Sequence, residues 1–122
     1  MLSCLRTVIV ALGLALFTAV AVTAHMAYSK SAPEKDATLD QSPTQIQVWF
    51  TQDPEPAVSR LSLEGPAGEV VLGDTEVADN RSLVAAVPRS LTPGTYTINW
   101  RSAGDDGHVQ RGDFSFSIRA AE

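Results

Sequence analysis

The sequence predicts an all-β domain, an antiparallel Greek-key sandwich or small barrel, on three observations. Apolar residues alternate with polar ones over short segments, turn-forming residues separate those segments, and no stretch beyond residue 24 combines helical spacing with helical length. The first segment, IQVWF at 46–50, sets Ile46, Val48 and Phe50 on one face and Gln47 and Trp49 on the other. RLSLEG at 60–65 repeats the pattern with Leu61 and Leu63, and EVVLG at 69–73 is a short candidate strand after the turn-forming GPAG. SLVAAVP at 82–88 groups Leu83, Ala85 and Val87 until Pro88, which has no N–H to give a ladder, interrupts it. In LTPGTYTINW, Pro93 and Gly94 turn the chain before Tyr96, Ile98 and Trp100 share a face. DFSFSI then alternates Phe114, Phe116 and Ile118 against serines.

The connections GPAGEV and EVADNRS are too short for helical crossovers, which favours antiparallel pairing. TQDPEPAV at 51–58, with two prolines and two acids, reads as a loop, and Pro33, Pro43 and Pro93 read as turn or edge fixtures. Trp49 and Trp100 are expected as packing residues, because aromatic side chains dominate burial in small cores.

Residues 1–24 have a different character. MLSCLR carries one arginine and no acid, TVIVALGLALFTAVAV is apolar apart from its threonines, and TAH restores polarity. A cationic start, an apolar middle and small residues at Val22 and Ala24 form the order of a secretory signal. The run also approaches the length of a membrane span, but no basic cluster follows it as a stop signal. Cleavage after Ala24 is therefore expected, leaving one domain over 25–122 with His25 as its amino terminus. Loss of Arg6 leaves eight basic against fourteen acidic residues, a net charge of −6 that disfavours nucleic acid or an anionic membrane as partner. The single cysteine, Cys4, leaves with the signal, so a domain of this size depends on its apolar core.

Only two histidines are present, His25 and His108. The second lies in SAGDDGHVQRGDFSF, where Asp106 and His108 are two residues apart and would share a side of an extended backbone. Gly107 between them adds freedom to turn both toward one point. Taken alone, this spacing is equally that of a solvated hairpin. A free terminal His25, however, offers its α-amine and ring Nδ1 to one ion in a six-membered chelate, and an amine with an ordinary pKa of about 7.7–8.0 yields its proton to a divalent metal near neutrality. With His108 and Asp106 the set is three nitrogens and one oxygen, suited to tetragonal copper(II). Zinc competes, but structural zinc prefers tetrahedral sets that commonly include cysteine. Copper(I) seeks soft sulfur, and the exported chain keeps one methionine, Met26, and no cysteine, so no strong copper(I) site is expected.

AHMAYSKSAPEKDATLDQSPTQIQVWF resembles the start of mature copper-resistance proteins of the CopC type, through His25, SAPEKDATL at 31–39, SP at 42–43 and Phe50. LTPGTYTINWRSAGDDGHVQRGDFSFSI is similar to that family's turn, its Tyr and Trp strand, its aspartate-x-histidine loop and its final aromatic strand. The resemblance spans residues 25 to 118. It implies an immunoglobulin-like or cupredoxin-like β-sandwich or barrel of about seven to nine strands, exported to the periplasm and binding one copper(II) ion per mature chain. Its ligands would be His25, through amine and ring, with Asp106 and His108; Asp105 falls outside the motif. Two departures stand out: Met26 replaces the usual alanine after the terminal histidine, and the loop before DGH is extended relative to a typical SADGH.

The function so implied is capture of copper and its transfer to a CopD-type inner-membrane importer or another periplasmic copper protein, in homeostasis or resistance, by a monomeric chain that is not an enzyme. The rival readings are a histidine-brace copper monooxygenase and a metal-free secreted β-sandwich used for interaction. Asp53 and Glu55 are expected as a hydrated acidic loop or as outer charge near the metal. Protonation of imidazoles, which as a class titrate near 6.5, predicts release of the metal in acid.

Overall fold

Alternating apolar residues become the inner faces of two packed sheets in the computed structural model, which describes residues 25–121. The expected signal 1–24, its cleavage point and Cys4 lie outside the described residues. Nine strands form: β1 (Tyr28–Ala32), β2 (Thr38–Leu39), β3 (Gln45–Phe50), β4 (Arg60–Gly65), β5 (Gly68–Val70), β6 (Glu76–Ala78), β7 (Ser82–Ala86), β8 (Gly94–Ala103) and β9 (Val109–Ile118) among the described residues. One sheet has the order β1-β3-β7-β6 and the other β2-β9-β8-β4-β5. Of the sandwich or small barrel that the alternation predicts, the structure is the two-layer Greek-key sandwich.

Each predicted inward face is buried. Ile46, Val48 and Phe50 of β3 and Leu83 and Ala85 of β7 oppose Leu61 and Leu63 of β4, Ile98 and Trp100 of β8 and Phe114, Phe116 and Ile118 of β9. Aromatic contacts bridge the layers: Phe50 meets Trp100 edge-on at 5.1 Å between ring centres, and Tyr28 meets Phe114 at 5.3 Å. The three buried serines are all satisfied, Ser31 by Tyr28, Ser82 by Gln47 and by donating to the Asp79 carbonyl, and Ser102 by Ser59. Their burial therefore costs little.

Gly112 faces Trp100 across the β8–β9 ladder. A Cβ there would lie 2.6 Å from two carbons of the indole and 2.7 Å from its Nε1, and the indole is pinned against Phe50. Gly112→Ala is therefore expected to cost about 1–3 kcal/mol by overpacking. The measurement is the urea midpoint, and a loss below about 0.5 kcal/mol would mean that the indole moves aside freely.

Several elements differ from expectation. Three strands, β1, β2 and β6, were not legible, and β6 lies within EVADNRS, predicted as a plain connection. Asn80 and Arg81 both take positive φ, 61° and 63°, in the tight turn that joins β6 to β7. Pairing is not wholly antiparallel: after crossing between the sheets beyond Pro33, the chain places β2 parallel to β9. EVVLG ends as a strand at Val70, because the chain then crosses to the other sheet, where the Gly73 N–H donates to Ala86 O at 2.8 Å. Loop 51–58 closes in a single 3-10 turn, Pro56–Val58. Trp100 is in the core as expected, whereas Trp49 is half-buried on the outer face with the Lys30 ammonium 4.9 Å from its ring centre.

Candidate metal centre

His25 reaches its position because the residues after it are tied down. Met26 is 3% exposed and belongs to the core, so the residue that departs from the family's alanine acts as an apolar anchor for the terminus. Ala27 is clamped by Thr51: its N–H donates to Thr51 Oγ1 and its carbonyl accepts from the Thr51 N–H, both at 2.9 Å. The Arg81 guanidinium donates to Thr51 O at 3.1 Å, which braces the clamp from the β6–β7 turn.

Asp106 and His108 lie in the turn that joins β8 to β9. The Gly107 N–H donates to Gly104 O at 3.0 Å, and Gly107 adopts φ +72°, a left-handed conformation that glycine takes without steric cost. The His108 N–H donates to Asp106 Oδ1 at 3.0 Å, closing an Asx turn. The expectation that the pair shares a side of extended backbone is thus corrected: a turn, not a strand, brings them together. Gln52, the residue after Thr51, accepts the Asp105 N–H at 3.3 Å, and any side chain on buried Gly104 would collide with it. The loop after β3 therefore holds both halves of the site, the terminus through Thr51 and the turn through Gln52. The end of β8 is further strapped by the Glu55 N–H donating to Ala103 O at 2.8 Å and by the Ser59–Ser102 hydroxyl pair.

The three side chains converge. Asp106 Oδ2 is 2.6 Å from His25 Nδ1 and 3.4 Å from His108 Nδ1, and the two rings are tilted with centres 5.1 Å apart. One donor atom from each residue lies within 4.8 Å of the others. Metal–nitrogen and metal–oxygen bonds of about 2 Å place donors at most about 4 Å apart, so small side-chain rotations let all three meet one ion. The carboxylate is 19% exposed beneath rings that are 46% and 68% exposed, which leaves the open side toward solvent.

Asp106 is held below the ordinary carboxylate range, first by the His108 backbone N–H and then by the hydrogen bond from His25; burial opposes them, and the charge of the nearby imidazoles adds a lesser effect in the lowering direction. An ionised carboxylate only accepts, so His25 Nδ1–H is the donor in the 2.6 Å contact. A metal bound at this place would take over that proton's position.

His25, Asp106 and His108 are the expected site residues, and the structure brings all three together. It leaves Asp105, Asp53 and Glu55 exposed and outside the cluster, Glu55 contributing only backbone. Thr51, Gln52 and Arg81 were missed, since polar residues just beyond a strand or in a turn carry no signal of what they hold across space.

The family model of the CopC domain matches residues 28–119. The chain is 31% identical over 104 residues to Copper resistance protein C of Xanthomonas campestris pv. juglandis, covering 79% of this chain and 81% of the relative. It is 29% identical over 101 residues to Protein YobA of Escherichia coli (strain K12), covering 80% and 82% respectively. The crystal structure of CopC from Methylosinus trichosporium OB3b is similar with a TM-score of 0.72 at 26% identity, covering 80% of this chain and 97% of that one.

Proposed function

The chain belongs to the CopC family of periplasmic copper-binding proteins, and from that premise we propose that it captures one copper(II) ion per mature chain and hands it to a CopD-type membrane importer or another periplasmic copper protein. The observation that supports this reading is the convergence of His25, Asp106 and His108 from the two ends of the domain. Cleavage after Ala24 would add the α-amine of His25 as the fourth donor. Three nitrogens and a carboxylate suit copper(II), and Met26, the one methionine of the exported chain, is packed in the core rather than offered to copper(I). The carboxylate also favours carriage over turnover, because it fills a position that oxygen chemistry at copper requires open.

The test is a copper(II) titration of the chain beginning at His25, followed by paramagnetic resonance. A type-2 signal with several nitrogen couplings, saturating at one ion per chain, is expected. Protons compete for imidazole and amine nitrogens, so affinity falls as pH drops from about 7.5 to about 4.5. Asp106 remains ionised further into acid because its pKa is lowered, so the loss reports the nitrogens. Affinity unchanged across that range would sink the assignment of nitrogen donors.

A further inference from the structure

Arg60 of β4, Arg101 of β8 and Arg111 of β9 are register partners, Arg60 opposite Arg101 and Arg101 opposite Arg111. The neighbouring row, Leu61, Trp100 and Gly112, faces the core, so the arginines share the outward face of the five-stranded sheet, and all three are exposed. With Ser62, Asn99 and Asp113 they line an open depression of about 410 Å³. No ion pair joins these guanidinium groups to an acid among the described residues.

Like charges directly opposite on neighbouring strands repel, so the row opposes folding. The exported chain has fourteen acids against eight basic residues, ample to pair them, yet places three of the eight side by side. The row lies two register steps from Ala103 and Val109, the last pair before the turn that carries Asp106 and His108. At a rise of about 3.3 Å per residue it runs roughly 7 Å below that turn.

Strands about 4.8 Å apart present the guanidinium groups in a rank of three. Carboxylates one helical turn apart, at i, i+4 and i+7, repeat every 5–6 Å or so, whereas same-face residues of an extended chain repeat at about 7 Å. The planar guanidinium fork pairs a carboxylate bidentately. An anionic membrane is the poorer occupant, because the exported chain's net charge of −6 opposes approach to an extended negative surface, while a single helix meets a patch of three arginines and one acid, Asp113.

We infer that the Arg60–Arg101–Arg111 row docks an acidic helical segment of the protein that exchanges copper with this domain, holding it beside the metal turn. The purpose of the docking, though not the docking itself, rests on the copper-carrier reading.

The test compares the chain beginning at His25 with its R60Q/R101Q/R111Q and R60K/R101K/R111K variants. The probes are a synthetic helical peptide with glutamates at i, i+4 and i+7, its glutamine counterpart, and phosphatidylglycerol vesicles. The glutamate peptide is expected to bind the parent, to bind the glutamine variant at least about tenfold more weakly and the lysine variant in between, and to weaken with salt. The glutamine variant should melt no lower than the parent, since a repulsive row has been relieved. Copper(II) binding should be equal in all three, so a parent that fails to bind copper overturns the carrier reading while leaving the docking result intact. No binding of the glutamate peptide to the parent, equal affinity for the glutamine variant, or capture of vesicles in place of the peptide overturns the inference.

Discussion

A chain that begins one alanine before His25 is expected to bind copper(II) more than about 100-fold more weakly than one that begins at His25. The comparison sets the scale: losing an outer partner of a metal ligand costs about 10–100-fold, and the extension removes a donor outright. It converts the α-amine to an amide nitrogen and opens the six-membered chelate with Nδ1. His108→Ala is expected to fall in the same range by deleting the ring nitrogen supplied by the β8–β9 turn. Both follow from copper titration with a competing chelator of known affinity, and the nitrogen couplings should drop in each. The protein part is not at risk in either variant, since His25 and His108 are exposed and the anchor is Met26. Equal affinity of the parent and extended chains would remove the amine from the donor set and leave a site of side chains only.

The largest effect on stability is expected at Phe116. It is 1% exposed near the C-terminal end of β9, lies opposite Tyr96 in the ladder and stacks on that ring with centres 5.6 Å apart and planes 16° from parallel. Tyr96 is itself fixed, its hydroxyl donating to Thr92 O at 2.7 Å, so it has little freedom to fill a void. Phe116→Ala should therefore cost about 3–5 kcal/mol, the range for removing a buried phenyl ring without full collapse around it. Against a total of about 5–15 kcal/mol for a domain, that is a large share. Urea unfolding of the metal-free protein measures it. A loss under about 1 kcal/mol would mean that the core repacks around the gap, contrary to the pinned Tyr96.

The difference between central and edge strands explains most of what was legible; β5, an edge whose segment EVVLG was expected as a strand, is the exception, given away by the turn-forming GPAG before it. Strands β3, β4, β7, β8 and β9 have one face in the core and one toward water, and a side-chain period of two turns that difference into an alternation visible along the chain. The three missed strands, β1, β2 and β6, are all sheet edges. Ser29 and Lys30 in β1 and Glu76 and Val77 in β6 are exposed, and β2 is two residues long. An edge strand is held mainly by backbone bonds to one neighbour, which almost any sequence can make, so its side chains need not announce it.

By itself, then, the sequence determined the all-β class, the inward faces and the identity of the three residues rich in metal-binding chemistry, because each of those depends on local periodicity or on residue type; that the strands form two sheets and not a closed barrel was decided by the tertiary structure. Tertiary structure alone decided that His25 meets Asp106 across 81 positions, that Thr51 and Gln52 hold the two halves of the site, and that three arginines fall into one row. Those are consequences of strand register and of where loops cross between sheets. Register is settled by the packing of the whole core, and no short stretch of chain contains that information.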